Sequence, residues 1–304
     1  MIKKHIPYID VKDIMPKNLD ALKCAPHLEF ENGSCIPLEL LIHMAEAYNK
    51  YFENKQEKQI KLDSKLDTLY PDDYKKYLLL EFKTKFEGDQ KDWINSKYLE
   101  LMSEQAKDDL ENKVFRPDGP QGKFDWLSTI DINQVLCQYE EKYKDFKFLG
   151  AVPLDFMDLD YLPFKKLNFK DFENENINRI GVIFNTDKSN QRGKHWISLF
   201  IDLGKGQIYF SDSMGIRPPK EINDFMKIAE KYIESKKLNN IDIRYNKTQH
   251  QKGNSECGVY SINWILRLLK GKTFDHITKK RLTDNQVNKC RIKYFAKMNK
   301  DDYK

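Results

Sequence analysis

The stretch covering residues 251–269 constrains this chain most. It begins as a polar, glycine-containing loop, Gln251-Lys252-Gly253-Asn254-Ser255-Glu256-Cys257-Gly258, and runs straight into an apolar segment at residues 259–269. That segment is long enough for about three helical turns and is apolar nearly all round, which implies a buried helix. Cys257 falls at or just before its first turn. Unpaired backbone N–H groups and the positive end of the helix dipole lie there, and both favour thiolate over thiol. A thiolate at a helix start, reached through a flexible loop, is how a cysteine nucleophile is built. The competing reading is a buried structural thiol, since free cysteine is among the most buried residue types. The rest of the chain decides between them.

A length of 304 residues allows one large domain or two of ordinary size. A hydrophobic content of 40% can make a core, and 33% charged residues mark a heavily solvated surface. The net charge of +5 is mild, and no dense Lys/Arg tract marks a nucleic-acid site. Nucleic acid is therefore expected, if at all, only as an activator. The five cysteines are odd in number and widely spaced, which argues for reduced thiols in a cytosol-like compartment. Cys24, His27 and Cys35 fit no common zinc spacing and have no fourth ligand nearby, so no metal is assigned, and no cofactor. The N-terminus, Met1-Ile2-Lys3-Lys4-His5, lacks an apolar signal core, and no window approaches a membrane span.

Residues 1–33 read as extended or irregular. Ser34-Cys35-Ile36-Pro37 looks like a helix start, followed by a stripe of Leu38, Leu41, Ile42, Ala45 and Tyr48 at helical spacing, with His43 off its centre. Residues 51–113 are rich in Lys, Glu and Asp, with Tyr74, Leu78, Phe82, Trp93 and Tyr98 among them, and suggest two or three amphipathic helices that bury an aromatic face. A docking surface for a partner is the alternative use of those aromatics. Arg116-Pro117-Asp118-Gly119-Pro120-Gln121-Gly122 is the clearest break in the chain. It divides a mainly helical accessory domain, 1–115, from a second domain, 116–304. The second contains a helix near 131–143, strands near 148–152, 178–185, 195–202, 207–212 and 241–245, a helix opened by Pro218 and Pro219, and a basic, partly helical tail.

The strands at 195–202 and 207–212 are joined by Leu203-Gly204-Lys205-Gly206, a hairpin turn. If Asp202 pairs with Gln207, Ile197 faces Asp212 and His195 lies two residues along. His195 and Asp212 then share one sheet face as diagonal neighbours within hydrogen-bond reach. A slip of one residue would part them. An Asp beside a His fixes the imidazole tautomer and stabilises the protonated ring. The plainer role for Asp212 is to open the Asp-Ser-Met-Gly turn. An oxyanion would need two donors: the Cys257 amide N–H, and a side-chain amide upstream, for which Gln251 competes with Gln249 and Asn254.

His195-Trp196, Asp212-Ser213-Met214-Gly215 and Gln251, five residues, then Cys257-Gly258 resemble the motifs of the SUMO-protease and adenovirus-protease group of cysteine proteases, in the same order. Trp126-Leu127 looks like the pair that opens the catalytic domain in the SUMO proteases. The stretch 119–126 with Phe148-Leu149-Gly150-Ala151-Val152-Pro153 looks most like the polyprotein-processing proteases of large cytoplasmic DNA viruses, African swine fever virus among them. The resemblance spans about residues 115–269. It implies an α+β, papain-like domain: a central mixed sheet with the Cys257 helix packed against it. It implies that Cys257 is the nucleophile, His195 the general base and acid, Asp212 its orienter, and Gln251 with the Cys257 amide the oxyanion donors. Trp196 and Trp126 would close over a Gly-Gly segment of substrate. Glu256 stands where SUMO proteases carry Asp, and a later Asp of the family is displaced; both departures put SUMO itself in doubt as the substrate.

The resemblance thus implies a viral thiol endopeptidase that cleaves structural polyproteins at Gly-Gly-type sites during virion maturation, in the virion and host cytoplasm, acting as a monomer. A deubiquitinase or SUMO-like deconjugase, an acetyltransferase using the same triad, and a non-catalytic binding module are the alternatives.

Overall fold

The computed structural model describes residues 20–54, 59–122, 124–238 and 240–297. It separates into two compact units, with the division between Pro117 and Asp118. The sequence-based boundary after Phe115 falls two residues short. Phe115 is buried in the first core, the Arg116 amide donates to the Lys23 carbonyl, and Lys91 Nζ donates to the Arg116 carbonyl.

The first unit is built on two helices, α1 (Leu38–Tyr51) and α2 (Pro71–Lys85), with shorter helical turns around them. Its core joins Leu41, Met44 and Tyr48 to Leu78, Phe82, Trp93, Tyr98 and Leu110. Phe82 stacks with Phe86, Trp93 and Tyr98. The aromatic face expected from residues 51–113 is therefore core. His43 is half-buried. Cys24 and Cys35 form a disulfide, which corrects the expectation of reduced thiols throughout. An antiparallel bridge from Cys24 to Phe115 and the tight turn Glu31 to Ser34 fold the intervening loop back, so the two Cα atoms stand 5.4 Å apart. That separation suits a disulfide, and spacing in sequence could not reveal it.

The second unit is a mixed five-stranded sheet in the order β1-β2-β3-β4-β5, comprising β1 (Phe146–Val152), β2 (Arg179–Asn185), β3 (Trp196–Asp202), β4 (Gln207–Ser211) and β5 (Asp242–Tyr245). The outer pairs are parallel, and the two inner pairings, β2 with β3 and β3 with β4, are antiparallel. All seven residues of β3 are buried, because both sheet faces are covered. On one face Phe200 packs with α3 (Thr129–Lys142) and α5 (Cys257–Leu269). On the other, Ile197, Leu199 and Ile201 meet Phe225, Met226 and Ala229 of α4 (Lys220–Ser235). The period-2 alternation of β3 is thus split between two helical layers.

Helix α5 is buried at every residue except Arg267, as its all-round apolar sequence requires. Its polar positions are satisfied inside: Ser261 Oγ donates to the Trp196 carbonyl at 3.1 Å. Helix α3 begins with a capping box of Ser128 and Asp131. It also covers the edge of the sheet. Asn133 Oδ1 accepts from the Ala151 amide at 2.8 Å, and Glu140 Oε1 from the Phe148 amide at 2.7 Å. These side chains occupy donors that an edge strand would otherwise expose.

Candidate active site

The hairpin adopts the expected register: Asp202 pairs with Gln207 and Ser198 with Ser211. The next position along β4 is Asp212, and His195 precedes β3. The two side chains meet, with His195 Nε2 donating to Asp212 Oδ1 at 2.7 Å. Asp212 is nearly buried and doubly fixed. Its amide donates to Asn246 Oδ1 at 2.8 Å, and Asn246 Nδ2 donates back to its carbonyl at 2.6 Å. Its Oδ1 also accepts from the Met214 amide at 2.8 Å, so the residue opens the turn and orients the histidine at once. The turn closes through Gly215, whose amide donates to the Asp212 carbonyl at 2.9 Å. Gly215 has φ +75°, and a Cβ there would lie 2.8 Å from the Thr248 carbonyl carbon. Only glycine fits that approach.

With Nε2 committed to Asp212, Nδ1 is the ring nitrogen left for Cys257, which hydrogen-bonds and interacts electrostatically with His195. Burial pulls the His195 pKa down. The hydrogen bonds and charges of Asp212 and Cys257 outweigh it and hold the ring at about 9. The imidazole is therefore protonated at neutral pH and holds a proton to give. His250, one residue before Gln251, is no rival as a base. Burial lowers it to about 4, and its ring packs against Trp264.

Cys257 is the first residue of α5 and is 2% exposed. Its amide is among those a helix start leaves without an intrahelical acceptor. Gly258 follows because the Trp126-Leu127 segment crosses the helix there; a Cβ on Gly258 would lie 3.0 Å from Leu127 Cβ. Trp196 Nε1 donates to the Leu127 carbonyl at 2.9 Å, which binds the same segment to β3. Trp196 is buried and Trp126 is half-exposed, and both line one groove of about 750 Å³ with Ala151, Asn185, Gln191 and Gly193.

Gln251 is buried, and its amide orientation is set by Ser213, whose Oγ donates to Gln251 Oε1 at 2.7 Å. Its Nε2 donates to the Gly253 carbonyl at 3.1 Å and keeps a second N–H for another acceptor. The rival amide of Gln249 is spent elsewhere: its Nε2 donates to the Gln251 carbonyl at 2.8 Å. Glu256, the residue that departs from the SUMO-protease pattern, accepts from the Ser255 amide and hydroxyl and from Asn288 Nδ2. It holds the turn before Cys257.

His195, Asp212 and Cys257 therefore converge. Gln251 is bonded to Ser213, the residue after Asp212, and the two tryptophans line one groove. Asn246, Ser213 and the C-terminal residues that hold the loop were not singled out in the sequence. Asn246 carried no local signal. Ser213 was visible only as part of the Asp-Ser-Met-Gly turn.

The chain matches the profile described as Ulp1 protease family, C-terminal catalytic domain, over residues 165–303. A putative thiol protease of Acanthamoeba polyphaga mimivirus is 37% identical over 281 residues, which span 90% of this chain and 92% of that protein. A SUMO-1 cysteine protease of African swine fever virus is 26% identical over 221 residues, spanning 67% of this chain and 78% of that protein. The crystal structure of an African swine fever virus protease superposes with a TM-score of 0.62 at 19% identity, covering 93% of this chain and 98% of that one. This last likeness establishes the fold.

Proposed function

The chain belongs to the Ulp1-like family of cysteine proteases, and on that premise we propose that it is a viral thiol endopeptidase cleaving structural polyproteins after Gly-Gly-type sequences during virion maturation. The observation that carries the reading is the His195–Asp212 bond of 2.7 Å beside a cysteine at a helix start. Cys257 Sγ attacks the scissile carbonyl carbon, and the carbonyl electron pair moves to oxygen. The Cys257 amide and Gln251 Nε2 hold that oxyanion. His195 gives a proton to the leaving amine, the C–N bond breaks, and a thioester remains. Water then attacks the thioester as His195 takes its proton. The acid is released and the thiol regenerated.

Selection for glycine is supported by the walls of the groove. Trp196 is anchored by its bond to Leu127, and Trp126 lines the same groove. Two indoles closing over a substrate backbone would exclude side chains larger than glycine's, and the depth of Cys257 would strengthen that filter. Virion and host cytoplasm are the compartments that fit this role.

The test uses Cys257→Ala and His195→Ala against the structural precursor proteins of the virus. Both variants should leave the precursors intact while the wild type cuts them, with N-terminal sequencing placing the cuts after glycine. Cleavage by both variants would end the proposal.

A second reading, deconjugation of ubiquitin-like proteins, is favoured by the SUMO-1 protease name carried by the African swine fever virus relative. Strong labelling of Cys257 by a ubiquitin- or SUMO-vinyl electrophile would move the assignment there.

A further inference from the structure

We infer that residues 281–291 form a brace that presets the oxyanion-binding loop, with Asp284 and Arg291 as positioning residues; this rests on the proposed role of Gln251 and the Cys257 amide. The loop at 250–256 has almost no regular structure of its own, yet it must hold two donors in one place before substrate arrives. Its backbone is held from one side by this single C-terminal segment.

Arg281 Nε donates to the His250 carbonyl at 2.9 Å. Asp284 Oδ2 accepts from the Lys252 amide at 2.9 Å and the Gly253 amide at 2.8 Å. Its Oδ1 lies 2.9 Å from the hydroxyl of Tyr260, in the first turn of α5. One carboxylate thus links the middle of the loop to the first turn of α5. Further along, Asn288 Nδ2 donates to Glu256 Oε1 at 3.1 Å. Arg291 is fully buried; its Nε donates to Asn288 Oδ1 at 3.0 Å, and its Nη2 to the Asp125 carbonyl at 2.9 Å and the Ser255 carbonyl at 3.4 Å. Arg291 therefore joins the residue before Trp126 to the residue two before Cys257.

The chemistry favours a positioning role over simple packing. Hydrogen bonds to charged groups are stronger than neutral ones, and two backbone N–H groups aimed at one carboxylate fix the peptide planes between them. The Lys252 N–H shares its peptide plane with the Gln251 carbonyl, so the Asp284 bond fixes the backbone of Gln251, whose Nε2 donates to the Gly253 carbonyl at 3.1 Å. A small misplacement of an oxyanion donor has a large effect on the rate, because the donors act in a preorganised site.

The experiment compares the full chain with Asp284→Ala, Asp284→Asn and Gln251→Ala by three readouts. These are hydrogen exchange at the 252–253 amides, kcat and KM on a fluorogenic peptide ending in Gly-Gly-aminomethylcoumarin, and alkylation of Cys257 by iodoacetamide read by mass spectrometry. Alkylation needs the thiolate but no oxyanion donors. For Asp284→Ala, exchange at 252–253 should rise at least about tenfold and kcat fall about 10–100-fold, with KM and the alkylation rate within about twofold. Asp284→Asn, which keeps an acceptor, should lie between it and the wild type. Adding Asp284→Ala to Gln251→Ala should cost little more, because both act through one loop. Unchanged exchange overturns the brace, and so does a fall in alkylation that matches the fall in kcat. If the wild type leaves the peptide uncut, the Gly-Gly reading fails separately, and exchange at 252–253 still decides the brace.

Discussion

At the scale of single residues, the site turns on where one proton sits. His195 has a pKa of about 9, above the usual 6.5, because Asp212 and Cys257 outweigh the effect of burial. For a group raised in the folded state, the associated stability is fully present below pH 6.5 and is lost as pH rises through about 9. In the proposed mechanism the same proton is the one given to the leaving amine. The kcat/KM profile should therefore hold through neutral pH and fall with an alkaline limb near 9. Asp212→Asn removes the charge while keeping the shape, so the limb should move down toward 6.5, with lower activity throughout. A limb that stays in place in Asp212→Asn would show that the carboxylate does not set the imidazole. The placement of these residues was legible through local signals, a helix start for Cys257 and strand alternation with a glycine turn for His195 and Asp212, while their roles rest on the family resemblance. Asp284 and Arg291 were not legible. Their partners in the 252–255 loop lie 31 to 36 residues away, and Asp125 lies 166 away, and they sit in a tail that reads only as basic and partly helical.

At the scale of elements, the sheet supplies direction and the turns supply distance. The hairpin could be placed because Gly204 and Gly206 mark its turn, and a one-residue slip would put His195 and Asp212 on opposite faces of the sheet. Helix α5 could be placed because its sequence is apolar nearly all round, and only Arg267 is not buried. The bulge in β1 between Phe148 and Ala151 was not legible. Nor were the short helices Pro163–Lys166 and Phe169–Asn174, since a single turn leaves no periodicity to read. The turn at residues 212–215 is the element whose failure would be most informative. In Gly215→Ala the residue is held at φ +75° with its Cβ against the backbone of Thr248 and Gln249, at a cost of about 1–3 kcal/mol. The strain falls on the strand end that carries Asp212 and on the stretch leading to Gln251. Melting should drop by a few degrees, and kcat/KM by at least about tenfold. If the variant melts lower but turns over normally, the turn is only a connector.

At the scale of the whole molecule, the chain carries two sulfur chemistries with opposite needs. The second unit holds Cys257, the proposed nucleophile, as a free thiol, and the first holds the Cys24–Cys35 disulfide inside a helical core. Both cysteines of the pair are 3% exposed, so reductant reaches them slowly unless the first unit opens. The bond closes a loop with a sequence separation of 11, for which chain entropy gives on the order of 2–3 kcal/mol of stability. Thiol titration of the unreduced, denatured chain should therefore find three free cysteines, Cys137, Cys257 and Cys290, of the five in the sequence. Cys24→Ser should lower the melting transition reported by Trp93, the one tryptophan of the first unit, while the rate of Cys257 alkylation in the folded chain stays at the wild-type value. Five titratable thiols would remove the disulfide from the account. A loss of Cys257 reactivity in Cys24→Ser would mean that the first unit conditions the nucleophile, and the accessory core would then belong to the catalytic apparatus itself.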